Sequence, residues 1–355
     1  MIIQLILLKW KETLLYIKLL QRLIPALRKR WPDTEFLMLS NGSLITESFV
    51  NLLLENKCCL VISHDAYGQC ERGIDPLTNP KTLANIRRFY ELAMKNRWGD
   101  RPPLKFHVTF NKICIDPVKA VHDIRSKLGY NVPVDWHTMG GQGKGQHYVI
   151  PEQTLQQLSQ HMLNAALSDK SVAPNDFYHR LRNAADSFRR DDNCDGLVPY
   201  CSIWVANNVC MDLKGHVFRC SNFCDPKDVV CDFNKPQTVK LYHHVHHRDR
   251  PVCQHCPYIN LCLGCCYLSE DGAYFNHTCR YTFYYFQALF CAAIYNLTGL
   301  IPYRIQGPIW RQQLDHIDDD KHPYQVFDQW DLPTPQWDVI DQYNKTEVFA
   351  PPVPY

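Results

Sequence analysis

The densest run of potential ligands is Cys253-x2-Cys256-x5-Cys262-x3-Cys266, followed by Cys279. Upstream, thirteen residues separate Cys201 from Gly215 and four separate Gly215 from Cys220. Close-spaced thiolates on tight turns suit an iron–sulfur cluster, whose donors must converge on a compact cube. The segment Met211-Asp-Leu-Lys-Gly-His-Val-Phe-Arg-Cys220 predicts a hairpin with Gly215 at its turn, where a residue free to take positive φ reverses the chain. Zinc also uses C-x2-C pairs, and His243, His244, His246 and His247 stand close by. Zinc alone does not need the x5-C-x3-C continuation, and the histidine run reads as a solvated helix or loop. Structural disulfides fit poorly, because 17 cysteines in 355 residues is an odd count in a long chain, unlike a small secreted scaffold. Cys58, Cys59, Cys70, Cys114 and Cys291 read as small buried apolar side chains.

The elements that would carry these ligands follow two different patterns. In the first half strands and helices alternate. Ile2 to Leu8 reads as a buried strand, and Leu14 to Arg30 as a helix with Pro25 as a kink. Phe36 to Leu39 is a short strand ending in the turn Ser40-Asn41-Gly42. Thr46 is placed to cap a helix with Glu47 in its first turn. Strands are expected at Cys58–Ile62, Leu104–Phe110 and Val132–His137, and helices at Pro80–Asn96, after Asp116-Pro117 and after Pro151. A Gly-rich turn runs from Gly140 to Gly145. Repeated strand–helix units predict an α/β fold with a parallel sheet or a (β/α) barrel. From Cys194 to Cys291 cysteine is dense and regular patterns weaken, and after Pro302 the chain is proline- and aromatic-rich and reads as an irregular tail.

Composition narrows the partners. A formal charge of +2 gives no electrostatic reason to expect nucleic acid or an anionic membrane. Met1 to Leu8 is apolar but too short to span a bilayer. Lys9 and Lys11 follow that run rather than precede it, and no small-residue cleavage site comes after. A cytoplasmic location with reduced thiols is therefore expected.

The cysteine spacing resembles the SPASM domain of radical S-adenosylmethionine (SAM) enzymes, whose pattern is C-x9–15-G-x4-C, then C-x2-C-x5-C-x3-C, then a final C. Every element is present in order, over roughly residues 190 to 285. The resemblance implies two auxiliary [4Fe–4S] clusters. By likeness to the sulfatase-maturase branch, Cys194, Cys201, Cys220 and Cys266 would hold the first, and Cys253, Cys256, Cys262 and Cys279 the second. Cys194 lies outside the seven-cysteine pattern, and Cys210 and Cys224 compete for its place. The first half resembles the later part of a radical SAM barrel. Ser40-Asn41-Gly42-Ser43-Leu44 is similar to the T-N-G-T-L segment at the end of the family's third strand, and Ile62-Ser63-His64-Asp65 to the S-L-D at the end of the fourth. Those strand ends surround SAM in the family, so the resemblance assigns Asn41, Gly42, Ser63 and Asp65 to cofactor binding. The implied layout is a partial (β/α) radical SAM barrel over residues 1–175, lacking its first unit, a SPASM domain over 190–300, and a tail over 301–355.

Three departures shape the functional expectation. No cysteine precedes Cys58, so the C-x3-C-x2-C motif of the catalytic cluster is absent from this sequence. Where the family's G-G-E-P/T segment belongs stands Trp10-Lys11-Glu12-Thr13, whose first two side chains would obstruct the SAM amino group. A truncated or disrupted reading frame and a degenerate paralogue both account for this. Ser221 follows Cys220 where the maturase branch has an aspartate base, and serine is a poor base, so sulfatase maturation is not expected. The resemblance implies modification of a peptide or protein, with electrons from a flavodoxin or ferredoxin, yet this chain as written is expected not to cleave SAM, and no catalytic residue is assigned. The alternative is a non-catalytic iron–sulfur or zinc module that binds a peptide or a partner enzyme.

Overall fold

The computed structural model describes residues 5–8, 17–96, 102–137, 150–168, 177, 180–185, 210–212, 214–218, 229–232, 235, 250, 253, 256, 258–262 and 272–300. The chain divides into two compact units, Met1–His137 with Asp169–Asn175, and Thr138–Ser168 with Asp176–Tyr355.

The first unit alternates strand and helix: β1 (Leu5–Leu8), α1 (Ile17–Arg30), β2 (Glu35–Ser40), α2 (Glu47–Glu55), β3 (Cys58–Ser63), α3 (Pro80–Asn96), β4 (Leu104–Thr109), α4 (Pro117–Leu128) and β5 (Val134–His137). The strands form one sheet in the order β1-β2-β3-β4-β5, each parallel to the next. Crossovers between parallel neighbours are right-handed, and a sheet that grows in one direction places all of them on the same side. The side chains obey that rule. Phe36, Met38, Cys58, Leu60, Ile62, Phe106, Val108 and Trp136 form the buried face. The alternate residues Leu37, Leu39, Cys59, Ser63, Lys105, His107 and Asp135 are half-buried.

Local chemistry sets the boundaries. Thr46 Oγ1 accepts from Phe49 N at 3.3 Å and caps α2. Asp116 caps α4 through Lys119 N at 3.1 Å, with Pro117 at the first helical position, where its missing N–H costs nothing. Pro25 lies inside α1. The loop after β3 is stitched to the loop after β4: Tyr67 Oη accepts from Ile115 N at 2.9 Å and Asp116 N at 2.8 Å, and Asn111 Nδ2 donates to Gly68 O at 3.2 Å.

In the second unit α5 (Glu152–Ser168) packs along a long helix. Strands β6 (Cys210–Met211), β7 (His216–Phe218) and β8 (Val229–Asp232) form an antiparallel sheet. Gly215 sits at φ +89° between β6 and β7, so the expected hairpin forms there. A short helix, α6 (Ile259–Cys262), precedes α7 (Gly272–Thr298). The weakened patterning expected before Cys291 is corrected here, because α7 is a regular helix of 27 residues. Its sequence hides it. Tyr281, Phe283, Tyr284, Tyr285, Phe286, Ala288, Leu289 and Ala292 are all buried, so no exposed polar stripe marks a helical period. No helix of the described residues is long and apolar enough to cross a membrane. The Gly140–Gly145 turn, the histidine run, Trp10 to Thr13 and the tail after Pro302 lie outside the described residues.

Candidate functional site

The carboxyl ends of β2 and β3 carry the four residues assigned to cofactor binding. Ser40 pairs with Ile62 in the sheet, which sets the two turns side by side. Ser40 Oγ accepts from Gly42 N at 2.9 Å, and Asn41 Oδ1 accepts from Ser43 N at 2.8 Å and Ser43 Oγ at 2.7 Å. Gly42 has φ +82°, and a Cβ there would stand 3.1 Å from Pro76 Cγ and 3.2 Å from Ile62 Cγ2. Both its backbone angle and its neighbours call for glycine.

The turn after β3 is a charge network. Arg72 Nη1 donates to Ser63 Oγ at 2.8 Å and to Asp65 Oδ1 at 3.0 Å, so two of the assigned residues meet on one guanidinium. Burial pushes the Asp65 carboxyl above its usual range, more than Arg72, His64 and Asn111 pull it down. His64 is fully buried. Its Nδ1 accepts from Ala66 N at 2.9 Å, which places the ring proton on Nε2, donated to Asp75 Oδ1 at 2.8 Å. Asp75 Oδ1 also accepts from Leu77 N at 2.8 Å, and Oδ2 from Lys127 Nζ at 2.9 Å. Burial alone would raise the Asp75 carboxyl, but the bonds from His64 and Lys127 outweigh it and hold it below the usual range. Burial draws Lys127 down, and Asp123, 2.7 Å away, together with Asp75 more than reverses that. Ala66 sits at φ +49°, a left-handed angle that costs a residue with a Cβ about 1–2 kcal/mol. The strain lies next to Asp65, at the strand end where the polar groups gather.

A second cluster, on the half-buried face, was not anticipated. Ser63 is in register with His107, and His107 with Asp135. Lys105 Nζ lies 2.6 Å from Asp135 Oδ2, and His107 Nε2 lies 3.3 Å from the same oxygen. Burial raises the Asp135 carboxyl, but His107 and Lys105 overcome this and bring it down to about 2. The signal was available in the alternation of Lys105, His107 and Thr109 with Phe106 and Val108, which marks one face of β4 as polar.

Of the predicted cluster ligands, Cys194, Cys201, Cys220 and Cys266 lie outside the described residues, as does the competitor Cys224. Cys253, Cys256 and Cys279 are buried and Cys262 is half-buried. Their backbone is turn-like: Cys253 N donates to Arg250 O at 2.9 Å, Cys256 N to Cys253 O at 3.0 Å, and Cys262 N to Tyr258 O at 2.7 Å. The Tyr258 ring packs 4.8 Å from Phe283 and 5.6 Å from Phe290, which fastens this segment to α7. Among the described residues no cysteine is in a disulfide, and no three His, Cys, Asp or Glu side chains converge on a single metal ion. Thiols are the donor type an iron–sulfur cluster takes, and these four stand on the turn and on the helix it packs against. Cys58, Cys114 and Cys291 are buried as expected, and burial pushes the first two thiols up to about 12 and the third well above its ordinary value. Cys70 is corrected: it is exposed, on a 3₁₀ turn over Ala66–Glu71.

No family model and no curated protein matches this sequence. Solved structures do. The chain is similar to the native anaerobic sulfatase-maturating enzyme anSMEcpe with bound AdoMet, at TM-score 0.54 and 16% identity, over 83% of this chain and 86% of that one. The histidine-tagged form of that enzyme, also with AdoMet, matches at TM-score 0.53, over 83% and 82%. The complex with AdoMet and the Cp18Cys peptide matches at 0.51, over 83% and 86%, again at 16% identity. This likeness establishes the fold. It is mixed α/β with a parallel sheet, similar to radical SAM enzyme structures.

Proposed function

We propose that this chain is a radical SAM/SPASM-type iron–sulfur protein whose substrate class is a peptide or protein. One observation carries the reading: the fold and the cysteine spacing lead separately to the same group of enzymes. At 16% identity, residue similarity contributes little to the fold likeness. The five-stranded parallel sheet, built in sequence order, supports reading this unit as a partial (β/α) barrel whose interior is the half-buried face. In this reading Asn41, Gly42, Ser63 and Asp65 border the SAM pocket, with Arg72 aligning Ser63 and Asp65. Lys105, His107 and Asp135 give the interior a fixed polar row, and Asp135 stays ionised across the neutral range. The cysteine-rich segment holds two auxiliary [4Fe–4S] clusters, the second through Cys253, Cys256, Cys262 and Cys279. Such clusters supply electron transfer or a substrate anchor, while the protein tunes them through burial and hydrogen bonding. A peptide is favoured as substrate because the maturase matched here was crystallised with one.

The residues of this chain do not include a C-x3-C-x2-C motif. Reductive cleavage of SAM needs an iron with an open position, and four-cysteine auxiliary sites offer none. The chain on its own therefore binds clusters without generating the radical. Anaerobic reconstitution should yield about eight iron per chain, with a cluster signal in electron paramagnetic resonance after reduction. Adding dithionite and SAM should give no 5′-deoxyadenosine. Stoichiometric zinc without iron, from cells supplied with both metals, would sink the reading in favour of a zinc-binding interaction module.

A further inference from the structure

We propose that a polar seam between α5 and α7 aims the Cys279 thiol, which makes Glu152 a positioning residue for the second cluster. The proposal rests on the cluster reading above. Arg280, only 8% exposed, donates Nε and Nη2 to Glu152 Oε2 at 3.0 and 2.6 Å. The Tyr284 hydroxyl donates to Glu152 Oε1, and Gln156 also bonds Tyr284. One turn on, Ser159 Oγ donates to Gln287 Oε1 at 3.3 Å. Glu152, Gln156 and Ser159 stand at i, i+4 and i+7 on α5, and Arg280, Tyr284 and Gln287 at the same intervals on α7. Partners ascend both helices together, so the helices run parallel and the seam has one register. Sliding or rotating α7 by a turn would strand a buried guanidinium and a carboxylate. Removing one partner of such a pair is far costlier than replacing both, and register specification is the best-attested use of buried polar contacts.

The thiol lies on a different side of the same helix. Cys279 and Phe283 are at i and i+4, hence on one face, and Phe290 follows at i+11. That face receives Tyr258, from the turn that bears Cys253, Cys256 and Cys262. Cys279 immediately precedes Arg280, about 100° around and about 1.5 Å along the axis. Fixing Arg280 on α5 therefore fixes the face on which Cys279 stands, the one that receives Tyr258. A residue on a helix more than a hundred positions upstream thus completes the ligand set without touching it.

The test uses full-length Glu152→Gln, which keeps the side chain's shape and removes its charge. In cluster-free protein, iodoacetamide should label Cys279 on the order of tenfold faster than in wild type, because the seam that sets the register of α7 is lost. Cys58 and Cys114, in the other unit, should label at unchanged rates. After reconstitution, iron should fall from about eight to about four per chain, and any remaining signal of the second cluster should shift its g-values. A paired variant guards against simple misfolding. Glu152→Gln with Arg280→Met removes both buried charges and should recover wild-type helix content by circular dichroism, yet keep fast Cys279 labelling. If the pair restores wild-type labelling, or if Glu152→Gln leaves labelling and iron unchanged in a protein whose wild type loads fully, the positioning proposal is overturned alone. Wild type that takes up no iron overturns the cluster reading and this proposal with it.

Discussion

Asp75→Asn should loosen the turn after β3 at neutral pH and lose that effect in acid. The Asp75 carboxylate accepts three bonds, from His64 Nε2, Leu77 N and Lys127 Nζ. Hydrogen bonds to a charged group are worth roughly 1.5–3 kcal/mol and neutral ones about 1. Asparagine keeps an oxygen for His64 and Leu77 but weakens each bond by about 1 kcal/mol. Its amide turns a donor toward Lys127, which retains Asp123 at 2.7 Å and is already a quarter exposed, so that loss is small. The sum is about 2 to 3 kcal/mol. The sign with pH follows from the direction of the shift. The folded carboxyl lies below its usual range, while the unfolded value is about 3.9. The stabilisation is thus fully present above the unfolded value and fades as the pH falls through the folded one. Hydrogen exchange at Ala66 and Gly68, corrected for intrinsic rates, reads the opening of this turn directly, since both amides are bonded within it. Exchange should be roughly 30- to 100-fold faster in the variant at pH 7, and the gap should narrow progressively as the pH falls below about 4. Equal exchange at pH 7, or a gap that persists unchanged in acid, would refute the reasoning.

Two further substitutions probe the backbone and the ligand set. Lys57 follows the C-cap of α2 at φ +50° and is exposed, so Lys57→Gly should relieve left-handed strain without losing buried area and raise stability by about 0.5–1 kcal/mol in a denaturant titration. Cys256→Ala should render reconstituted protein far more sensitive to proteolysis in its second unit, because metal binding in such domains is coupled to folding. Cys114→Ala should cost only about 1 kcal/mol, the price of a small cavity. Equal proteolytic resistance of the two variants would argue against Cys256 as a ligand.

The first unit was legible because its signals are local. Thr46, Asp116 and Pro117 cap helices where their chemistry says they should, and each strand from Phe36 onward is found within two residues of the expected limits. Strand β1 covers Leu5–Leu8 of the apolar run Ile2–Leu8, whose first three residues lie outside the described ones. The Ser40–Gly42 and Ser63–Asp65 turns were legible as motifs, but Arg72, which ties Ser63 to Asp65, was not, since nothing in Cys70-Glu71-Arg72 says which way the chain returns. Asp75 and Lys127 are 52 residues apart, and such pairings depend on the sheet order rather than on either residue's neighbours. Helix α7 was missed for the opposite reason. Its buried aromatic residues face every direction, and a helix with no exposed stripe has no period to read. The seam that crosses it is visible only when two helices, each carrying its polar residues at i, i+4 and i+7, are seen to run side by side.

Among the described residues the sheet-bearing unit ends at His137, and α5 already belongs to the other unit. Helix α5 is therefore an early segment of sequence committed to a late partner. Cutting the gene near residue 175, where strand–helix alternation ends, would strand α5 with its Leu155, Leu158, Met162 and Leu163 unburied and leave α7 without Glu152. Neither fragment would be a clean module. On a ribosome the same threading imposes an order of events: α5 emerges well over a hundred residues before α7, and must wait, apolar face uncovered, until the helix that covers it has been made.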